Sequence, residues 1–580
     1  MAFLVPMLKT VHQARFAWLF LGLCGLLGGG LAIHAARLQT PTHDEYWHLP
    51  IGLAIWQSGK FDQDRINPPL VRLWAAVPLV VQGVPVSFDG PERESDYGDA
   101  LLRAAGDRTA RRYYALGRGM LLVLWGLGAL LLAGISWRLF GPLAAGLGFV
   151  LWMTDPNLLA HGGLVTHDVP AAVAFLALTG GLLALLRQPS LKTAALAGLL
   201  LGLAQLVKFT AVIYYPLILL GWIGVLPWTR FRHWKQQTGL VAVMLGVSLL
   251  VINAGYLFQG SGTPLGEYPF RSARLLGLQQ ALSLIARVPL LLPSDYVMGL
   301  DQLFAFMQEP QPVYLAGSWS LTGFPEYYVY CWLYKTPHLQ QVLSLSGMWL
   351  LLRHFRSTPE ARWLLLLTLP VFLVVAITAS LSANQLGYRY LLPVYPFPML
   401  WGVGGWGLQG RKLGEARESQ LVVLVAVLSV FSLRHHPNHL AYFNELAGGP
   451  ANGRFLLVDS NLDWGQSLHE LAADLEASEM ELTGLAYFGS YPPSAVNLNV
   501  PAPPAGSPQP GKYAISLNFL QGRPHVLRDA QGTWRAVNID EFGYFRFFEP
   551  VRIVGASIAL FDLTEQDIRD YQTAVRRLRQ

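Results

Sequence analysis

The segment Gln39–Gly52, QTPTHDEYWHLPIG, places His43, Asp44, Glu45 and His48 directly behind an apolar run. Paired carboxylates flanked by imidazoles suit general acid–base work. An ionised carboxylate can take the proton from a hydroxyl as that oxygen attacks. Cations nearby would keep such a carboxylate ionised, because opposite charge lowers its pKa. The chain offers Arg72, Arg118, Lys208 and Arg389 as candidate cations, and Asp168 as a further carboxylate. Cations at a membrane surface also bind a lipid phosphate and stabilise it as a leaving group. Together these groups describe the transfer of a group from a lipid phosphate to a hydroxyl.

Composition says what must position them. Of 580 residues, 53% are hydrophobic and only 13% are charged, about half the charge of an ordinary soluble protein. The run Phe16–Ala36 carries no charge and reaches the roughly 20 residues a bilayer span requires. Eleven candidate spans follow, near 16–36, 113–137, 142–155, 168–187, 193–208, 209–227, 238–257, 337–352, 363–381, 390–409 and 420–433. Alternate connections are short and basic, among them Lys9 and Arg15, Arg138, Arg187 and Lys192, and Arg411, Lys412 and Arg417. Such loops mark the cytoplasmic side. The N-terminus is then cytoplasmic, and an odd number of spans puts the C-terminal part outside, in a plasma (inner) membrane location. The net charge of +6 is explained by this topology and gives no sign of a nucleic-acid partner. Cys24 and Cys331 fall in or beside apolar runs and make no disulfide framework.

The expected architecture is an α-helical multi-pass membrane domain over 1–433, with outer loops at about 37–112 and 258–336. A small extracytoplasmic α/β domain follows over 434–580, where composition changes. Strands are expected at RFLLVDS, LTGLAYFG, KYAISLNFL and VRIVGASIALFDL, and a helix at SLHELAADLEA. On this topology Asp44, Glu45, Arg118, Asp168, Lys208 and Arg389 all sit at the outer edge of spans. Ionisable groups gathered at one depth tend to line a cavity or water. Asn67 and Tyr388 join Asp168 as candidate cavity residues. Pro68 and Pro69 in NPPL impose an extended approach and then permit a helix to start, with Arg72 near its beginning.

Asp44-Glu45 after the first span, NPPL some twenty residues on, Asp168 opening a later span and RYLLP far downstream resemble the GT-C glycosyltransferases. The branch resembled is that of protein O-mannosyltransferases and lipid A aminoarabinose transferases, over roughly residues 10–410. The resemblance implies an inverting transfer from a polyprenyl-phosphate sugar donor to a hydroxyl acceptor, whether protein, lipid or glycan. It makes Asp44 the base. Glu45 and His48 would position the acceptor or support Asp44, and Arg72, Lys208, Arg389 and Arg118 would bind donor phosphate. Asn67 stands where relatives carry His or Lys, and AHGGLVTHD lacks the Arg that mannosyltransferases place before the counterpart of Asp168. No cofactor is implied, and a divalent metal is not favoured. His43 to His48 lacks H-E-x-x-H spacing, RHHPNH reads as a membrane-exit loop, and Asp463 and Trp464 read as structural rather than acceptor-binding. A transporter is the main rival, but transporter sites lie near the bilayer midplane and often come with internal repeats. A non-catalytic envelope-assembly scaffold is the other.

Overall fold

The structure is a computed structural model. It describes residues 4–580 apart from 89, 92, 226–233, 411–414, 530 and 531. The chain opens with helices α1 (Leu4–Leu38), α2 (Glu45–Ser58), α3 (Leu70–Val81), α4 (Glu94–Ala105) and α5 (Asp107–Phe140). Next come α6 (Pro142–Thr154), α7 (Pro156–Gly162), α8 (Asp168–Arg187) and α9 (Leu191–Val207).

Six helices among the described residues are long and apolar enough to cross a membrane: Leu21–Leu38, Asp107–Phe140, Asp168–Arg187, Trp234–Gly255, Pro359–Ser380 and Arg417–His435. The α6–α7 pair, bent by 60°, makes a seventh if counted as one span. The bend sits where Asp155 accepts the Leu158 N–H at 2.9 Å and Pro156 opens a new helix, since proline cannot continue the preceding one. The expected count of eleven is thus not met by length. The remaining runs fall on shorter helices, among them α9, Tyr214–Val225, His338–Arg353 and Pro396–Gly410. The expected span at 209–227 ends partly outside the described residues.

Helices α2–α4 form a compact cap after the first span. Gly52 lets α2 lie directly on α3, because a Cβ there would come within 2.2 Å of the Arg72 carbonyl. Leu49, Leu53, Val71 and Leu79 are buried between these helices and α5.

The C-terminal part carries a four-stranded sheet in the order Gly484–Ala486, Gly511–Ser516, Ile558–Leu563, Arg552–Val554. The first pair is parallel and the other two are antiparallel. Three of the four expected strand segments therefore form, the last as a hairpin. The helix Leu468–Ala477 buries Leu468, Leu471 and Leu475, as its apolar spacing requires. RFLLVDS is not a strand. It ends in a short 3-10 turn, with Asp459 in the left-handed region at φ 62°. Its backbone is satisfied from elsewhere: Asp459 N–H donates to Asn518 Oδ1 at 2.6 Å, and the Leu456 carbonyl accepts from Ala316 N–H at 2.9 Å.

This sheet region docks on the first loop. Arg528 makes a two-point contact with Asp99, 2.8 Å at each end. Tyr491 donates to Asp107 at 2.6 Å, and His469 Nδ1 and Thr40 Oγ1 are 2.8 Å apart. One hydrophobic cluster runs from the apolar helices into the sheet, through Leu457, Trp464 and Phe488.

Candidate active site

The adjacent carboxylates of Asp44 and Glu45 have opposite surroundings. Glu45 is fully buried. Its carboxylate accepts from Thr42 N–H (3.0 Å), Thr42 Oγ1 (3.1 Å), Val165 N–H (2.8 Å), Arg118 Nε (3.0 Å) and Arg118 Nη2 (2.7 Å). Burial alone would push the Glu45 carboxyl up, but the Arg118 guanidinium and these bonds hold it below the usual range. Arg118 spends its other N–H groups on the carbonyls of Ala36 (2.6 Å), Gln39 (2.8 Å) and Thr40 (3.0 Å). Those carbonyls belong to the end of α1 and the turn after it, where helix acceptors lack intrahelical donors. Arg118 therefore ties the exit of α1 to the start of α2.

Asp44 immediately precedes α2, and its side chain makes no helix cap. The carboxylate is left to reach Arg389, with Oδ2 2.8 Å from Nη1. Arg389 is held in turn by neighbours from the C-terminal part. Its guanidinium lies 4.3 Å from the centre of the Trp464 ring, the Tyr388 N–H donates to Asn461 Oδ1 at 2.9 Å, and Ser460 Oγ donates to the Leu386 carbonyl. Lys208 Nζ, at the end of α9, is 2.5 Å from Asp168 Oδ1 at the start of α8.

These groups face one cavity of about 450 Å³. Of the residues singled out from sequence, Asp44, His48, Asn67, Asp168, Lys208 and Arg389 are on its wall. Four others are not. Arg118 is buried, bonded to Glu45 and to three carbonyls, and stands off the wall, unlike Lys208 and Arg389. Arg72 is fully buried and paired with Asp64 (2.5 Å to Oδ2, 3.0 Å to the main-chain carbonyl). Its partner Asp64 lines the cavity, whereas Arg72 itself, expected as a phosphate ligand, stands behind the wall. Glu45 is fully buried and is not among the residues that line the cavity. Tyr388 is buried with its hydroxyl 2.9 Å from Thr336 Oγ1 and positions Arg389 rather than lining the wall.

His48 is buried beside His167, ring centres 5.0 Å apart. Burial first, then Arg72 and His167, hold its pKa well below the ordinary value. NPPL contributes through the Pro68 carbonyl, 3.2 Å from His167 Nε2.

Sequence reasoning missed the share of the wall supplied by the C-terminal part: Asp459, Trp464, Phe488, Arg523 and His525. Arg523 pairs with Asp459 at 2.5 Å. His43, beside the key carboxylate, contacts the Phe488 and His525 rings at 6.0 and 5.1 Å. Only DSNLDWGQSL carried a signal, and within it the two flagged residues divide. Trp464 lines the cavity, whereas Asp463 lies in the core, accepting from Ser516 Oγ and from Gly465 N–H at 2.9 Å. Several buried polar atoms on the wall have no protein partner: Arg389 Nε, Asp168 Oδ2, His48 Nδ1, Arg523 Nε and both side-chain atoms of Asn384. Among the described residues no group of three His, Cys, Asp or Glu side chains is placed to hold a metal.

Burial pushes the Asp463 carboxyl up to about 7. The folded protein therefore holds this proton more tightly than the unfolded chain. The resulting stabilisation is complete below about pH 4, the unfolded carboxylate range, and is lost as pH rises through about 7. Thermal unfolding between pH 5 and 8 (roughly this window) is expected to show a falling transition temperature for the natural protein. The Asp463→Asn protein is expected to show a flatter profile; equal slopes would remove Asp463 as the titrating group.

No protein-family model matches the chain, and no curated protein matches it. Solved structures resemble it in fold. ArnT from Cupriavidus metallidurans in the apo state is 14% identical, with 84% of this chain and 75% of that one covered, at a TM-score of 0.45. ArnT from the same organism bound to undecaprenyl phosphate is 14% identical, with 88% and 96% covered, at 0.46. The Archaeoglobus fulgidus oligosaccharyltransferase in complex with Zn and sulfate is 12% identical, with 89% and 73% covered, at 0.46. The fold and site together define a largely helical protein with six helices long and apolar enough to cross a membrane among the described residues, and a mixed-charge cavity lined in part by residues of the C-terminal region.

Proposed function

We propose that this protein is a GT-C-type glycosyltransferase that moves a sugar from a polyprenyl-phosphate donor to a hydroxyl acceptor, with inversion, at the outer face of a plasma membrane. The observation that carries the reading is the convergence of Asp44, Asp168, Lys208 and Arg389, from four distant segments, on one cavity wall. The same cavity has an apolar side made by Leu303, Phe306, Val375 and Ala379, suited to the start of a prenyl chain.

The acceptor oxygen attacks the anomeric carbon as the bond from that carbon to the phosphate oxygen breaks. The acceptor proton passes to Asp44, and the electron pair of the broken bond leaves with polyprenyl phosphate. Arg389 lines the cavity and holds Asp44 through one Nη, and the rest of its guanidinium is the group assigned to the phosphate. This single guanidinium couples donor binding to the base. Lys208 supplies the second positive charge, and Asp168 fixes its ammonium. His48 orients the acceptor or water. The Glu45–Arg118 pair fixes the turn on which Asp44 sits.

Charge-assisted hydrogen bonds contribute about 1.5–3 kcal/mol each. Arg389→Ala is therefore expected to raise the dissociation constant for polyprenyl phosphate by roughly 10- to 100-fold, measured by isothermal titration in detergent or nanodiscs. An unchanged affinity would reject Arg389 as the phosphate ligand. The reaction class itself is tested by mass spectrometry of envelope glycans, lipids and proteins from cells with and without the protein. Loss of one sugar substituent is the expected result. Identical profiles, with substrate accumulation in proteoliposomes and no bond cleavage, would replace the transferase by a transporter.

A further inference from the structure

The outer loop expected at about 258–336 contains a segment that the cavity does not use. Between Glu267 and Asp295 the chain has no Asp or Glu but carries Arg271, Arg274 and Arg287. The helix Ala273–Ala281 buries none of its residues. Leu278, Leu284, Ile285, Val288 and Leu291 are all exposed, Leu284 at 99%. Large apolar side chains gathered in one short segment are unusual on a water-facing loop and mark an interaction surface.

The segment is nevertheless ordered. Asp301 is buried and accepts from the Arg271 N–H (2.8 Å), the Ser272 N–H (2.9 Å) and Ser272 Oγ (2.7 Å). Gln279 donates to the carbonyls of Leu265 and Tyr268 at 2.8 and 3.0 Å. Its leucines are thus held outward by a fixed backbone. Two observations identify what they meet. The segment belongs to the loop that leaves the apolar helix Trp234–Gly255, and Leu257 and Phe258, just past that helix, are also exposed. Its only charges are arginines, whose long stems can lie along apolar surface while their heads reach phosphate.

We infer that residues 271–291 are a second membrane-contact surface, lying in the headgroup layer with Leu278, Leu284, Ile285, Val288 and Leu291 turned into lipid and the three arginines drawn to anionic headgroups. Interfacial segments of this kind combine buried apolar area with electrostatic attraction. Asp301 belongs to the helix Ser294–Phe306, which gives Leu303 and Phe306 to the cavity wall. Contact with the bilayer therefore sets the height of that wall. The inference does not depend on which reaction the cavity performs.

The test is a bimane probe on Leu284→Cys in the full chain, reconstituted in nanodiscs whose lipids carry a nitroxide near the headgroup. Cys24 and Cys331 are buried, and unsubstituted protein carried through the labelling gives the background. A probe on Leu578→Cys, 88% exposed on the C-terminal helix, is the reference. Several-fold stronger quenching at 284 than at 578 is expected, increasing when anionic lipid replaces zwitterionic lipid. That increase should vanish in the Arg271→Gln, Arg274→Gln, Arg287→Gln variant. Emission at 284 as unquenched as at 578, or shifted to the blue without quenching as in a protein–protein contact, would overturn the inference. Quenching indifferent to lipid charge would overturn the role given to the arginines.

Discussion

Asp44→Asn is expected to lower sugar transfer by about 10²- to 10⁴-fold, the range over which a positioned general base contributes, while leaving the protein folded. The fold is spared because Asp44 caps no helix and is tied to the protein through Arg389. The amide keeps the size of the carboxylate and can still accept one hydrogen bond from Arg389. It cannot take the acceptor proton. The measurement is turnover of a polyprenyl-phosphate sugar by purified protein, with donor affinity determined in parallel. Turnover equal to that of the natural protein would remove Asp44 as base. Lost turnover accompanied by lost folding would place Asp44 in the scaffold instead.

The neighbouring carboxylate is expected to behave in the reverse manner. Arg118→Ala strands the buried Glu45 charge and releases the carbonyls of Ala36, Gln39 and Thr40. Removing one partner of a buried ion pair costs about 3–5 kcal/mol, a large part of the stability of an ordinary domain. Glu45→Gln keeps the shape and the bonds accepted by one of the two carboxylate oxygens and should cost less. Thermal unfolding in detergent ranks the three proteins, with Arg118→Ala lowest. If Arg118→Ala unfolded like the natural protein but bound donor weakly, Arg118 would return to the phosphate site.

This contrast shows what was legible in the sequence. Asp44 behind the first apolar run, Asn67 of NPPL, Asp168 and Arg389 all stood out in the sequence and all stand on the wall of one cavity. Membrane depth brought Arg118 into the same set and the helix start after NPPL brought in Arg72, but neither distinguishes a guanidinium facing a ligand from one gripping main-chain carbonyls. That distinction lies in the turn after α1 and in Asp64, which no residue spacing reveals. The contribution of Asp459, Trp464, Phe488 and Arg523 was hidden for a related reason. These residues come from a region whose composition reads as a separate α/β domain, whereas its loops fold back onto Asp44 and Arg389. RFLLVDS looks like a strand because four apolar residues run together, but only Leu457 and Val458 are buried, Phe455 is exposed, and Asn518 and Ala316 take hydrogen bonds a ladder would have needed. Fewer than eleven of the described helices reach span length on their own, because apolar runs such as α6 and α9 end at Pro156 and at the turn at Lys208.

A structure of the protein with polyprenyl phosphate bound tests the central claim most directly. The phosphate is expected within hydrogen-bonding distance of Arg389 and Lys208, with the first prenyl units against Leu303, Phe306 and Val375, and Asp44 facing the space above the phosphate. A phosphate seated elsewhere, with Arg389 and Lys208 still bound only to Asp44 and Asp168, would contradict it.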